Sequence, residues 1–462
     1  MKHIVIIGGG LSGLAAAYEL QKTHPNYTWE LVEKDEKLGG KFETVKRDGF
    51  LIEKGPDSFL ARKPAGVGLV KDLGLDDKLI ANATGRSYIY HEKALHPIPE
   101  GSVMGIPTNK QALLATTLVS EIGKARALQE PTIQPNNKET DQALGDFFEA
   151  RFGKELVKTI IEPLLSGIYA GDIYKMSLRA TFPQFEQTVK KYGNLMDGLK
   201  ESNMQTTGTK ATIGAFRTLE GGLDTLPKAI ADALPAENLY TKKQATNIVK
   251  KNGSYEISFA DGDKKEADGI IIAATHDALI HLLKETTTEP FAGQPLTTLA
   301  TVSLAYNEVE VPVLPDGTGY LVARTAPYKT TACTWVQKKW PHMVPENKML
   351  LRGFVGKAGE SWLEEASDEA IVTAVLKDYA EIMDLHAAPL FYEVSRMKSA
   401  MPQYLTGHQN RLNQLKKNMK ADYPGVYFAG MSYEGVGIPD CIAGAQTAVT
   451  ELTDLLEEVS ND

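Results

Sequence analysis

The chain has 462 residues, of which 42 % are hydrophobic and 24 % are charged. Such a composition is that of a globular protein and excludes a disordered chain, a disulfide scaffold and a coiled coil. The 50 basic and 59 acidic residues give a net charge of −9. Because phosphate neutralisation needs surplus cations, this balance argues against a nucleic-acid-binding protein. The only cysteines, Cys333 and Cys441, form no CxxC pair, so we expect a reducing compartment and no metal site.

The N-terminus does not read as a leader sequence. The apolar run at residues 4–7 ends at three glycines, whereas a secretory signal keeps an unbroken apolar stretch of about 7 to 15 residues. No stretch reaches the roughly 18 uncharged apolar residues of a membrane span. We therefore expect a cytoplasmic protein without a transmembrane segment. The stretch Leu113–Val119 leaves peripheral membrane contact open, although packing in the core or along a substrate channel is favoured.

A buried strand followed by a glycine-rich turn is predicted first. Residues 4–7 are β-branched and apolar, as in a parallel strand buried on both faces. Glycines then follow in GxGxxG spacing, which permits a tight turn, a close approach of pyrophosphate and close packing of the next helix. The start of that helix offers free N–H groups to phosphate. The predicted nucleotide contacts are Gly8, Gly9, Gly10, Leu11, Ser12 and Gly13.

A second strand, Trp29–Val32, ends in an acidic residue. Glu33 lies 20 positions after Gly13, where a carboxylate accepts the ribose hydroxyls of a dinucleotide and repels a 2′-phosphate. Lys34, the glycine pair Gly39–Gly40 and Lys41 come next and, like Glu33, are predicted cofactor contacts. The glycine pair lets the chain run close to an extended cofactor. The combination of strand, glycines, helix, strand and acid disfavours a glycine turn without a ligand.

The middle of the chain alternates helical and extended patterns. Asp141 is expected to cap a helix that carries Leu144, Phe147, Phe148 and Phe152 on one face and stops at Gly153. Residues 204–212, rich in Thr and Gly, are predicted to be a linker. Strands are predicted at Thr298–Tyr306, Gly319–Ala323 and Met349–Val355, and Ser367 is expected to cap a helix.

Three further segments resemble FAD-dependent amine-oxidase-like flavoproteins. They are the motif Gly55–Ser58, the strand Asp268–Thr275 and the strand Gly425–Gly430, which precedes a helix near Ile442. In that superfamily the last helix directs its N-terminus at the flavin ring, and FAD is favoured over NAD. The resemblance implies further cofactor contacts at Gly55, Pro56, Asp57, Ser58, Ala245, Ala274, Gly430, Val436, Gly437 and Ile438.

The implied fold is α/β, with a Rossmann-like FAD-binding domain built from the discontinuous segments 1–70, 216–280 and 403–462. A helical insertion is expected at 80–205 and a mixed α+β substrate domain at 281–402. One FAD per chain is expected. Some relatives in that superfamily bind FAD covalently through a cysteine, but Cys441 lies in a Pro-Asp-Cys string that resembles a porphyrinogen-oxidising branch, and this resemblance implies non-covalent FAD.

Three longer stretches of the sequence resemble one particular family within this superfamily. Glu162–Asp172, Met401–Tyr404 with Gly407–His408, and Glu434–Cys441 resemble the oxygen-dependent protoporphyrinogen/coproporphyrinogen oxidases of haem synthesis. The likeness covers nearly the whole chain and is greatest to the soluble Gram-positive enzymes, which are associated with coproporphyrinogen III. It implies that the porphyrinogen loses six hydrogens in three two-electron steps. Each step passes a hydride to the flavin, which returns its electrons to O2 as hydrogen peroxide.

Cations are expected where the substrate propionates bind, since arginine holds a carboxylate with two parallel hydrogen bonds. The alternative interpretation of each such residue is a charged side chain on the protein surface that contacts only solvent. The predicted substrate residues are Arg62, Lys63, Lys338 and Arg352, with Trp335 as a stacking surface. Lys339, Lys357, Arg396 and Lys398 are further candidates.

Lys41 is the catalytic candidate, because a cation beside the flavin stabilises its anionic reduced form. A salt bridge to Glu33 or Asp35 is the alternative.

Other functions remain open from the sequence. Protoporphyrinogen IX is the nearest alternative substrate, followed by a flavin amine oxidase and a non-catalytic flavin-binding protein. The expected partners are a porphyrinogen and O2, with hand-over of product to ferrochelatase left open.

Overall fold

The computed structural model describes residues 2–135, 140–206 and 214–461. Its strands lie in five sheets. In chain order the strands are β1 His3–Ile7, β2 Thr28–Val32, β3 Thr44–Arg47, β4 Phe50–Glu53, β5 Phe59–Leu60, β6 Leu79–Ala81, β7 Tyr88–His91, β8 Ala94–Pro97, β9 Phe216–Leu219, β10 Leu239–Tyr240, β11 Ala245–Lys250, β12 Tyr255–Phe259, β13 Lys264–Ala267, β14 Gly269–Ile272, β15 Leu296–Asn307, β16 Gly319–Val322, β17 Thr330–Trp335, β18 Lys348–Val355, β19 Phe391–Pro402 and β20 Val426–Phe428.

Helices connect and cover these sheets. In chain order they are α1 Leu11–Thr23, α2 Pro64–Asp72, α3 Lys110–Ala115, α4 Glu121–Ala127, α5 Leu144–Phe152, α6 Lys154–Leu156, α7 Glu162–Tyr169, α8 Leu178–Thr181, α9 Pro183–Tyr192, α10 Leu195–Thr206, α11 Thr225–Asp232, α12 His276–Leu282, α13 Glu285–Thr288, α14 Val336–Lys339, α15 Trp362–Glu365, α16 Asp368–Met383, α17 His408–Asp422 and α18 Ile438–Asn461.

A parallel five-stranded sheet has the order β10-β2-β1-β14-β20. Successive residues of β1 point to opposite faces. Ile4 and Ile6 pack with α1 and α18 on one face, while Val5 and Ile7 pack with β12, α12 and α17 on the other. The Rossmann-like α/β fold predicted from the sequence is therefore confirmed. The sheet draws its strands from distant parts of the chain, whereas the exact domain boundaries stay a prediction.

A mixed sheet of seven strands has the order β19-β15-β18-β17-β16-β7-β8. It contains the three strands predicted between residues 298 and 355. β7 and β8 fall inside the segment predicted as a helical insertion, yet β7 pairs in parallel with β16. The insertion is thus helical mainly from α3 to α10, because β7 and β8 supply one edge of this sheet.

Two of the three predicted helix boundary residues are confirmed. Gly153 ends α5, and the Ser367 hydroxyl accepts the Ala370 N–H at the start of α16. The cap predicted at Asp141 is wrong, because α5 begins only at Leu144. The Asp141 carboxylate instead accepts the Gly407 N–H at 2.7 Å.

The predicted linker at 204–212 lies partly in α10, which runs to Thr206, and its remainder lies outside the described residues.

Within the described ranges, no helix has the length and apolar character needed to cross a membrane. In the stretch Leu113–Val119, Leu113, Leu118 and Val119 are buried, whereas Leu114 is 51 % exposed. Ala115 and Thr117 are exposed as well. The stretch thus divides its residues between the core of the helical region and the solvent, and its contact with a membrane stays untested.

Candidate functional site

The glycine turn after β1 has no room for side chains at its first and last positions. Gly8 has a φ of +110°, and a Cβ there would lie 2.5 Å from the Ala273 carbonyl oxygen. A Cβ on Gly13 would lie 1.8 Å from the Gly8 carbonyl oxygen. A Cβ on Gly10 would meet only the Gly40 Cα, at 4.0 Å. The turn is therefore packed against the end of β14 and open at Gly10, immediately before α1.

The second glycine pair lies directly beside this turn. The Gly39 N–H donates to the Gly9 carbonyl at 2.8 Å, and a Cβ on Gly40 would lie 3.1 Å from the Gly10 Cα. Since neither segment carries a side chain here, the two backbones leave a path along which a pyrophosphate can approach both. The structure thus brings the two predicted glycine motifs into one cradle.

Glu33 is anchored at the edge of the cradle. Its Oε2 accepts the Gly9 N–H at 2.6 Å and its Oε1 accepts the Asp35 N–H at 2.8 Å. The side chain is buried, while Lys34 is exposed. A carboxylate oxygen can accept more than one hydrogen bond, so Glu33 can still receive ribose hydroxyls. The position and the free acceptor capacity of Glu33 therefore fit the dinucleotide that the sequence predicts.

The remaining predicted cofactor segments reach the same edge of the parallel sheet. A Cβ on Gly430 would lie 3.7 Å from the Ser12 Oγ and 3.8 Å from the Ala274 carbonyl oxygen. Val436 and Gly437 immediately precede α18, which begins at Ile438. Ala245 stands at the start of β11 and packs against the same apolar cluster as Ala274.

Lys41 follows the second glycine pair. A Cβ on Gly55 would lie 1.8 Å from the Lys41 carbonyl oxygen, so the two segments are in close contact. The Lys41 side chain is open to solvent, yet desolvation by the surrounding protein lowers its pKa, against the smaller opposing effect of Cys441 and Asp277. Among the described residues it makes no ion pair with Glu33 or Asp35.

Asp57 occupies a buried ion cluster. Its carboxylate accepts the Lys339 ammonium at 2.7 Å, the Trp340 indole N–H at 3.2 Å and the Ser58 hydroxyl at 2.8 Å. Burial raises the pKa of Asp57, but Lys339 and Arg352 more than offset this, and the pKa lies below its usual range. The cofactor contact predicted for Asp57 thus meets a side chain that is already fully engaged, and Pro56 lies in the same turn.

Most of the predicted substrate residues have other contacts. Arg352 is 3 % exposed and donates to the Gly55 carbonyl. Trp335 is fully buried, with its ring 5.8 Å from that of Tyr88, so it offers no open stacking surface. Lys338 donates to the Leu314 carbonyl. These three side chains are thus used within the fold, and their contact with substrate stays a prediction.

The other two predicted cations lie beside α2. Arg62 is exposed, and Lys63 reaches Asp440 in the first turn of α18 at 2.6 Å. Lys63 is thereby held at the helix end that is expected to face the flavin. Of the further candidates, Lys357 is buried and donates to the Tyr328 carbonyl, Arg396 pairs with Asp368, and Lys398 is exposed.

Comparison with known proteins identifies the family. Residues 11–453 match the flavin containing amine oxidoreductases. The chain belongs to this family. The α/β FAD-binding fold predicted from the sequence is the fold of this flavin family, and the contacts of the cradle with the cofactor stay a prediction.

Relatives within the amine oxidoreductase family carry more specific names. A coproporphyrinogen III oxidase of Bacillus subtilis is 43 % identical over 97 % of both chains, and one of Staphylococcus aureus is 35 % identical over 98 % of this chain and 99 % of its own. A crystal structure from Exiguobacterium sp. 255-15, described provisionally as a protoporphyrinogen oxidase, has a TM-score of 0.87 and 36 % identity over 99 % of both chains.

More distant structures show the fold alone. A cyclohexylamine oxidase of Brevibacterium oxydans has a TM-score of 0.71 with 16 % identity, over 99 % of both chains. The α/β flavin fold is therefore shared across amine oxidoreductases that act on unrelated compounds.

Sequence reasoning missed two side chains of this flavoprotein. Glu53 is buried between the Leu223 N–H and the Thr44 hydroxyl, although an acid at the end of an apolar strand was a local signal, as at Glu33. Arg324 donates to the Gly171 carbonyl at 2.8 Å. No local signal marks Arg324, because its partner lies 153 positions away in the chain.

Within the described residues no cluster of His, Cys, Asp and Glu is arranged to hold a metal ion.

Proposed function

We propose that this protein is an FAD-dependent oxidase that converts coproporphyrinogen III to coproporphyrin III. In this reaction the porphyrinogen loses six hydrogens, and three molecules of O2 become three of hydrogen peroxide. The observation that carries the proposal is near-complete coverage at 43 % and 35 % identity by two relatives named coproporphyrinogen III oxidase. The two-part glycine cradle supports it, since the cofactor that such an oxidase needs has a built site.

FAD, when bound, supplies the hydride acceptor. Gly10 and Gly40 leave the backbone open to its pyrophosphate, and the anchored Glu33 carboxylate receives its ribose hydroxyls. Lys41 and the start of α18, both electropositive, face the flavin ring in this proposal. The chain thereby orients the cofactor and places positive charge near the ring, while the redox chemistry belongs to the flavin.

The proposal includes one non-covalently bound FAD per chain. Burial raises the pKa of the Cys441 thiol to about 11, so at neutral pH it is protonated and a poor nucleophile. Acid precipitation of the holoprotein should release yellow flavin into the supernatant. Flavin that stays with the pellet would contradict this part of the proposal.

We further propose that Arg62 and Lys63 meet substrate propionates. Arg62 is exposed, and Lys63 lies beside Asp440 at the start of α18. The scarcity of cysteine supports action in the cytoplasm. Transfer of the porphyrin product to a ferrochelatase is consistent with this reaction and is part of the proposal.

Protoporphyrinogen IX is the second candidate substrate. It is favoured by the Exiguobacterium structure and by a chloroplast relative from Arabidopsis thaliana, named protoporphyrinogen oxidase 1, which is 26 % identical over 98 % of this chain. Two propionates rather than four would then need cations. Because the plant relative is less identical to this chain than the two coproporphyrinogen III oxidases are, we rank protoporphyrinogen IX behind coproporphyrinogen III.

The deciding experiment compares both porphyrinogens in parallel. Porphyrin fluorescence is followed during aerobic turnover, with spontaneous oxidation subtracted. Faster formation of coproporphyrin supports the proposal, and faster formation of protoporphyrin supports the second candidate. If neither exceeds the spontaneous rate and neither reduces the bound flavin under anaerobic conditions, the protein is a flavoprotein with another activity or none.

A further inference from the structure

The segment between β20 and α18, residues 430–437, forms one wall of the cofactor cradle. It begins at Gly430, beside Ser12 and Ala274, and ends at Gly437, one residue before α18. It has no regular secondary structure, so its backbone polar groups need partners from elsewhere. We call it the 430–437 loop.

Tyr404 binds this loop at two points. Its hydroxyl donates to the Met431 carbonyl at 2.7 Å and accepts the Gly435 N–H at 2.8 Å. The Tyr404 side chain is fully buried and follows the end of β19. One hydroxyl thus spans the loop and binds a half-buried acceptor and a half-buried donor that are four residues apart.

His408 binds the loop between those two points. Its Nε2 lies 2.7 Å from the Tyr433 carbonyl, and its ring stacks on that of Tyr404 with centroids 4.1 Å apart. Since a carbonyl can only accept, Nε2 carries the proton. Burial lowers the pKa of His408 to about 4, so the ring is neutral at physiological pH. The stack therefore fixes the direction in which this single donor points.

His276 binds the same loop through Ser432. The Ser432 hydroxyl lies 3.1 Å from both the backbone N–H and the Nδ1 of His276. Gln294 donates to the Ser432 carbonyl at 3.3 Å. Residues 431, 432, 433 and 435 are thus each bound by side chains from outside the loop.

We propose that Tyr404 and His408 are positioning residues, which hold the 430–437 loop in the shape that receives the flavin before the cofactor binds. This assigns a task to the string Met401–Tyr404 with Gly407–His408, which no step of the proposed reaction uses. The inference rests on flavin binding and not on the identity of the porphyrinogen. Its test needs no substrate, so it can fail independently of the proposed function.

The test compares FAD release from variant holoproteins, followed by the rise in free flavin fluorescence. Tyr404→Phe keeps the stacked ring and loses both hydrogen bonds, and it should release FAD roughly tenfold faster, with a changed visible spectrum of the bound flavin. Tyr433→Phe is the matched control. The Tyr433 hydroxyl lies in the same loop and makes no hydrogen bond within the part of the chain that the structure describes, so its removal should leave release unchanged.

His408 provides the second pair of variants. His408→Leu removes the donor and should speed FAD release, whereas His408→Gln places an amide N–H near the position of Nε2 and should restore much of the wild-type rate. A lower melting temperature with unchanged FAD release and spectrum in both Tyr404→Phe and His408→Leu would show a merely structural role and overturn the proposal.

A further measurement needs no variant. In the full wild-type chain freed of FAD, the Gly435 amide should already be protected from hydrogen exchange, because Tyr404 accepts it. Protection that arises only when FAD is added back would show that the cofactor shapes the loop, and it would overturn the proposal even if Tyr404→Phe failed to fold.

Discussion

Lys41 combines exposure to solvent with a desolvated setting next to the cofactor cradle. Desolvation lowers the pKa of Lys41, and no ion pair with Glu33 or Asp35 holds its ammonium group away from the cradle. A cation in such a place stabilises negative charge that develops on a reduced flavin more effectively than one in open water.

Lys41→Met should therefore slow anaerobic reduction of the flavin by coproporphyrinogen III by roughly ten- to a hundredfold. Stopped-flow absorbance measures the rate directly. Lys37→Met is the control, because Lys37 is exposed in the same segment, is not a predicted cofactor contact and should leave the rate unchanged. An unchanged rate in Lys41→Met would remove Lys41 from the mechanism.

The pKa of Glu53 lies above the usual range of a glutamate side chain. Burial raises its pKa from 4.5 to about 7, although hydrogen bonds from the Leu223 N–H and the Thr44 hydroxyl lower it. The folded chain therefore binds this proton more tightly than the unfolded chain. The stability that Glu53 contributes is complete below pH 4.5 and is lost as the pH rises towards 7.

The free energy of unfolding of the wild type, minus that of Glu53→Gln, should fall by about 3 kcal/mol across this window and then level off. Urea titrations at several pH values measure the difference, which cancels the contributions of other groups. The matched control is Glu365→Gln at an exposed position. A flat difference for Glu53→Gln would show that the pKa of Glu53 is the same in the folded and the unfolded chain, and it would contradict the prediction.

At the scale of elements, the packing of α1 on β1 depends on Gly13. Gly13→Ala would place a Cβ 1.8 Å from the Gly8 carbonyl oxygen, and only a shift of the helix or the turn can relieve this. We expect Gly13→Ala to lose several kcal/mol of stability and most FAD binding, measured by urea unfolding and flavin fluorescence.

Gly444→Ala is the opposite case within α18. A Cβ there meets nothing within 4 Å, so alanine should stabilise the protein by about 0.5–1 kcal/mol through its helix propensity. Equal effects of Gly13→Ala and Gly444→Ala would contradict the steric role of Gly13.

The elements that the sequence predicts best are those with local signals. The strand, glycine turn and helix at residues 3–23 follow from spacing alone, and Ser367 was identified as a cap from its own neighbours. Arg352 and Trp335 are predicted substrate residues because propionates need cations and a tetrapyrrole can stack on an aromatic ring, and nothing local in the sequence shows which groups they contact in the fold. Arg352 binds a carbonyl 297 positions away, and the cap expected at Asp141 instead binds Gly407. Such pairings appear only once the sheets are assembled.

At the scale of the whole molecule, the cofactor cradle joins segments that are remote in sequence. The turn after β1, the end of β14 and the loop before α18 meet at one edge of the parallel sheet. A ligand that contacts all three binds the folded chain and has no site in the unfolded one. Its binding free energy therefore adds directly to the free energy of unfolding.

FAD at about 100 times its dissociation constant should raise the free energy of unfolding by about 2.7 kcal/mol. FMN should stabilise the chain less at the same concentration, because it lacks the adenosine ribose that Glu33 would receive. Urea unfolding of the chain freed of cofactor, with and without each flavin, measures both effects. Equal stabilisation by FAD and FMN would show that Glu33 and the glycine turn do not bind the nucleotide half, and the cradle would then hold the flavin ring alone.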